Sequence, residues 1–132
     1  MILDRLGRFE EAVEVHGKSY AFYKTQESGG LYAIDLRRVG RIEEARDVAR
    51  AVAGMSETMW GAYNLACFWA VDANPAESLR MLRRAFDLGY TSVNIFSDPD
   101  LAALHGNPDF EEICRGVRER IDTARRREPT PQ

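Results

Sequence analysis

The groups in this chain best suited to chemistry are His16 and His105, Cys67 and Cys114, and acidic doublets such as Glu10-Glu11, Glu43-Glu44 and Glu111-Glu112. A catalytic histidine needs a nucleophile or a carboxylate brought to it, and neither histidine stands in a motif that does so. There is no His-Glu-x-x-His run, no phosphate-cradling glycine loop and no Cys-x-x-Cys pair. The doublets fall near predicted helix starts, where carboxylates complement the positive end of the helix dipole. The cysteines sit inside apolar patterns, as small buried hydrophobes do, and two are too few for a disulfide scaffold or a cysteine-rich zinc site. The sequence thus predicts no catalytic residue, no metal and no cofactor, and the chain is not expected to be an enzyme.

Charge narrows the partners. Residues 1–114 carry 12 basic and 18 acidic side chains, whereas residues 115–132 carry 6 arginines and 3 acids. An acidic body lacks the basic footprint that nucleic acid requires. The cluster Arg125-Arg126-Arg127 fits the last turn of a helix, where cations are favoured. No run of 18 apolar residues is present and the N-terminus lacks a signal-peptide core, so no membrane contact is expected and the predicted location is cytoplasmic.

With catalysis set aside, the elements that would position a binding surface become the question. "LDRLGRFEEA" at 3–12 and "LRRVGRIEEA" at 36–45 are nearly the same decapeptide, 33 positions apart. The register continues in small or modest residues: Ala12, Ala45 and Ser78; Ala33 and Ala66; Ser19, Val52 and Ala85. Small side chains at a fixed period in the low thirties mark helical hairpins that approach one another closely at equivalent places. The predicted helices run over about 9–24, 30–39, 42–53, a stretch capped by Ser56 and one capped by Asn74 with Pro75 in its first turn. "QESGG" at 26–30 is expected to end the first of these, and "MILDRL" to be the remnant of a preceding helix. "TSVNIF" at 91–96 reads as a connector, Asp98-Pro99 opens a short helix, Asn107-Pro108 opens the last one, and the tail 128–132 is expected to be disordered.

These features together resemble a tetratricopeptide-repeat protein. Gly40 and Ala45 with their partners Gly7 and Ala12, the segments "YNLACFWA" at 63–70 and "LRRAFDLGY" at 82–90, and the constant register carry the likeness. "FSDPDLAALHGNPDFEEI" at 96–113 resembles the terminal segment that closes many bacterial arrays of this family. The resemblance implies an all-α solenoid of antiparallel helical hairpins, about two and a half repeats plus C-terminal capping helices. It implies one domain over 1–127, with units of about 1–26, 27–55 and 56–90 and a cap over 91–127, the C-terminal part of an array. It also implies a non-catalytic interaction module or scaffold that holds a peptide or partner helix in its concave groove.

Projected on that pattern, the binding residues are Leu31, Ile34, Arg37 and Arg38 from the second unit and Trp60, Tyr63, Asn64 and Cys67 from the third. Aromatic and arginine side chains are the usual anchors of interfaces, and the arginines suit a carboxylate on the ligand. The alternative is homodimerisation, or service as an accessory regulatory subunit, through a helix 9–24 left with too little covering it. Val13, Tyr20, Phe22 and Tyr23 are the residues expected on that face, with Val13, Tyr20 and Tyr23 as the self-association candidates.

Overall fold

The computed structural model describes the backbone of residues 2–127 and the side chains of residues 7–127. All regular structure among the described residues is helical. The predicted disordered tail, 128–132, lies outside the described residues. In chain order the helices are α1 (Ile2–Tyr23), α2 (Gln26–Arg38), α3 (Ile42–Ala53), α4 (Met59–Val71), α5 (Pro75–Asp87) and α6 (Pro108–Arg127). Two 3-10 turns, Val93–Phe96 and Pro99–Leu104, stand between α5 and α6. No helix among the described residues is long and apolar enough to cross a membrane.

α1 is one continuous helix, which corrects the expectation of a separate "MILDRL" remnant followed by a helix from residue 9. Gly7 stands inside it, and nothing lies within 4 Å of where its Cβ would be. Its sequence equivalent Gly40 behaves differently, at φ +86°. There α2 must stop: Gly40 N–H donates to the Arg37 carbonyl and Arg41 N–H to the Leu36 carbonyl, at 3.1 and 2.9 Å. This pair of reverse bonds is a Schellman turn, and it needs a left-handed residue between them. Gly7 has no such helix end to close, so the backbone continues through it.

The same turn closes α4 and α5. Tyr90 N–H reaches the Ala85 carbonyl across Gly89, which sits at φ +106°. Asn74 N–H reaches the Trp69 carbonyl at 2.8 Å across Ala73, which carries a side chain at φ +58°.

The second correction concerns 26–30. "QESGG" opens α2 instead of ending α1. Thr25 is extended, its hydroxyl accepts the Ser28 N–H at 3.1 Å, and Ser28 Oγ accepts the Thr25 N–H at 3.2 Å. That is a capping box with serine in the place of the usual Glu or Gln. The glycines that look like breakers are contact points. A Cβ on Gly29 would lie 2.4 Å from Val52 Cγ1, and one on Gly30 would lie 2.8 Å from Asn64 Cβ. α2 therefore crosses both α3 and α4 at backbone distance. α4 is capped by Thr58, two residues later than the expected Ser56. α5 is capped by Asn74, whose side chain accepts from Glu77 N–H, with Pro75 in its first turn.

α2 is packed by α1, α3 and α4, and α4 by α2, α5 and the second 3-10 turn. α6 rests on α5 and the first 3-10 turn. The core centres on α4, where Ala62, Leu65, Ala66 and Phe68 are fully buried with Leu36, Val52, Leu82, Leu101 and Leu104 around them. Trp69 stays half-buried beside Phe68. Of the periodic small residues, Ala45, Ser78, Ala33, Ala66, Val52 and Ala85 are all buried, and Ser78 Oγ donates to the Ala66 carbonyl at 2.7 Å where α5 crosses α4. Their counterparts in α1, Ala12 and Ser19, are only half-buried.

Candidate functional site

Tyr63 is the best-placed test of an open groove, and the chain itself covers it. Its ring stacks on Tyr90 at 4.6 Å and 16°, and Trp60 packs edge-on to both rings. Its hydroxyl donates to Asp98 Oδ2 at 2.6 Å. Cys67 Sγ lies 3.7 Å from the same oxygen. Asp98 is the N-cap of the second 3-10 turn, its other oxygen accepting the Asp100 N–H at 3.0 Å. Leu101 and Leu104, three apart in that turn, bury themselves in the core. This segment lies on α4, so the expectation that Tyr63 and Cys67 line an open groove is corrected.

The other expected recognition residues are also engaged within the chain. Ile34 is buried. Asn64 Nδ2 donates to the Glu27 carbonyl at 3.2 Å and ties α4 to the start of α2. Arg37 Nε lies 3.0 Å from Asp72 Oδ1, and Arg46 Nε donates to Asp72 Oδ2 at 3.0 Å. One buried carboxylate at the end of α4 thus holds a guanidinium from α2 and another from α3. Arg38 Nη2 donates to both oxygens of Asp100, at 2.9 and 3.0 Å, and reaches Asp35 at 3.7 Å. Leu31 is exposed and Trp60 half-buried, but they are not joined by the remaining six into one open surface.

A polar chain emerges that the sequence did not reveal. His16 Nδ1 pairs with buried Asp35, Asp35 with Arg38, and Arg38 with Asp100, linking α1 through α2 to the second 3-10 turn. The partners stand 19 and 62 positions apart, so no local spacing could announce them. Cys67 Sγ and the carboxylates of Asp98 and Asp100 lie within 4.8 Å of one another, a geometry open to a metal ion. Their chemistry is already committed. Asp98 holds the Tyr63 hydroxyl, Asp100 holds Arg38, and burial followed by repulsion from Asp98 pushes the Cys67 thiol well above its ordinary range. Burial likewise raises the Tyr63 and Tyr90 hydroxyls, and it pushes the Cys114 thiol up to about 11. A thiol kept protonated is neither a nucleophile nor a ready metal ligand.

Among the described residues, the three most exposed large hydrophobic side chains stand on α1. Val15 is 62%, Phe22 80% and Tyr23 65% exposed. At ~100° per residue, Val15 and Phe22 share one face, and Val13 and Tyr20 share the opposite one. Val13 is buried and Tyr20 packs on Tyr32, with ring centroids 6.0 Å apart. Of the residues expected from sequence on that face, Phe22 and Tyr23 are on the open side; Val13 and Tyr20 are turned onto α2. Val15, which sequence patterning overlooked, joins them. Adding 33 to Val15, Ser19 and Phe22 gives Val48 and Val52 on α3 and Met55 just beyond its C-cap. There Val52 is buried, and Val48 and Met55 are half-buried against the core. α3 carries this face against α2, whereas α1 carries it bare.

Comparison of the chain with protein-family models, with curated proteins and with solved structures finds no significant match.

Proposed function

We propose that this chain is a non-catalytic protein-interaction module that receives a helix on the open face of α1. The architecture behind the proposal is a tetratricopeptide-like stack: α2–α3 and α4–α5 as two complete antiparallel hairpins, α1 as the second helix of a further unit, and 91–127 as the cap. Short connections, 39–41 and 72–74, support the antiparallel pairing. The unit boundary then falls at Thr25, where α2 begins.

One observation carries this reading. The 33-residue register equates Ala12, Val15, Ser19 and Phe22 with Ala45, Val48, Val52 and Met55; at each pair the second set is the more buried, and Val15 and Phe22 are exposed where Val48 and Met55 are half-buried against the core. Large apolar side chains exposed on one unit where their counterparts are partly covered point to a docking surface. The alternative of a peptide held over Tyr63 and Cys67 requires the 98–104 segment to leave first, so the α1 face is favoured.

A photo-crosslinking residue placed at Phe22 in the native cell tests this. It should form a discrete higher-mass adduct, while the same residue at Leu88, 41% exposed at the C-cap of α5, should not. Equal, diffuse labelling from both positions would refute the proposal.

A further inference from the structure

We infer that the helix received by α1 is α1 of a second copy, laid antiparallel across a two-fold axis near Val15. The inference rests on the docking face just proposed and adds the identity and register of its occupant.

The open face has three strips. Arg8, Val15 and Phe22 form its centre at intervals of seven. Glu11 and Lys18 flank it on one side, and Ala12 and Ser19 on the other, as the ~100° rotation per residue dictates. A two-fold axis perpendicular to two antiparallel helices sets each flank against the same flank of its partner. It also inverts the order along the helix. Glu11 and Lys18 are placed almost symmetrically about Val15, so each Glu11 meets the partner's Lys18 and each Lys18 the partner's Glu11. On the other flank Ala12 meets Ser19, both small enough for the axes to approach to about 8 Å. Along the centre Val15 meets itself, and Arg8 falls opposite the exposed Phe22 ring, within range of a cation–π contact.

A parallel arrangement would set the Glu11–Lys18 flank on the partner's Ala12–Ser19 flank and leave both charges without a partner across the axis, so the charges choose the antiparallel one. The arrangement is isologous and closes at two copies. Lys18 now contacts Glu14 at 3.3 Å in an exposed i,i+4 pair, which holds it weakly and leaves it free to serve a partner.

Charge exchange in sedimentation equilibrium tests the register. The chain of 15.0 kDa should sediment at twice that mass. Glu11→Lys alone and Lys18→Glu alone should each sediment as monomers, because each puts like charges opposite one another twice. Mixed in equal amounts, the two variants should regain the doubled mass, because every contact in the mixed pair is then between opposite charges. Unchanged circular dichroism of both variants secures that they remain folded, as expected for exposed positions.

A monomeric parent chain overturns the inference. So does a dimer indifferent to both substitutions, or variants that stay apart on mixing. A monomeric parent that still crosslinks from Phe22 to a different protein would overturn the second copy and spare the docking face; no crosslink at all would remove both.

Discussion

The Tyr63 hydroxyl donates to the Asp98 carboxylate at 2.6 Å, across 35 positions of sequence. That bond holds the second 3-10 turn on α4. Tyr63→Phe removes the donor, keeps the ring stack on Tyr90, and leaves a half-buried carboxylate short of a partner. The expected cost is about 1.5–3 kcal/mol, the range for hydrogen bonds to charged groups. Denaturant unfolding measures it. Limited proteolysis should show earlier cleavage between 97 and 106 than in the parent, since this segment loses its anchor before the core does.

Ala73 occupies a left-handed position at φ +58° that Gly40 and Gly89 fill at the other two Schellman turns. A Cβ there costs about 1 kcal/mol. Ala73→Gly should therefore stabilise the chain by about 0.5–1 kcal/mol, and Gly40→Ala should destabilise it by about 1–2 kcal/mol. Midpoints of urea unfolding compare the two directly; destabilisation by Ala73→Gly would show that the turn is not under strain.

Ala45 is fully buried on α3. Ala45→Leu should destabilise by about 1–3 kcal/mol through overpacking. Ala12→Leu, at the equivalent position on half-open α1, should cost well under 1 kcal/mol, as surface substitutions usually do. Equal effects in thermal unfolding would mean that the two faces are equally covered.

Burial holds the Cys114 thiol protonated up to about 11, against an ordinary value of 9.0. Above pH 9 the unfolded chain therefore binds fewer protons than the folded one, and stability falls as pH rises. The contribution of Cys114 is fully present below 9 and lost on passing 11. The stability difference between the parent and Cys114→Ala should shrink across that window, and pH-dependent denaturation measures it. A constant difference would place the thiol in contact with water.

The sequence announced most of the helices because their punctuation is local. Asn74-Pro75, Asn107-Pro108 and Gly89 act within four residues, and each is where the helix starts or ends. "QESGG" misled because a glycine states only that a Cβ is absent. Gly29 and Gly30 lack theirs to admit Val52 and Asn64, and those contacts come from α3 and α4. Gly7 misled in the opposite way, since the helix end that Gly40 closes has no counterpart at residue 7.

The site was less legible. Aromatic, amide and arginine residues on α2 and α4 look alike whether a ligand or the chain's own segment covers them. Asp98 and Asp100, which decide the matter, arrive about 60 positions after Arg38. An under-covered face on this helix was expected from the sequence. Separating Phe22 and Tyr23, with Val15, from Val13 and Tyr20 required knowing which side α2 takes.

Hydroxyl-radical footprinting of Phe22 tests the central claim most directly, because it reads whether the α1 face is covered in the working protein. At 80% exposure the ring should oxidise readily in the purified chain at high dilution. It should oxidise several-fold more slowly in the native cell, while buried Phe68 stays inert in both. Equal oxidation of Phe22 in the two settings would mean that nothing docks there, and would contradict the account.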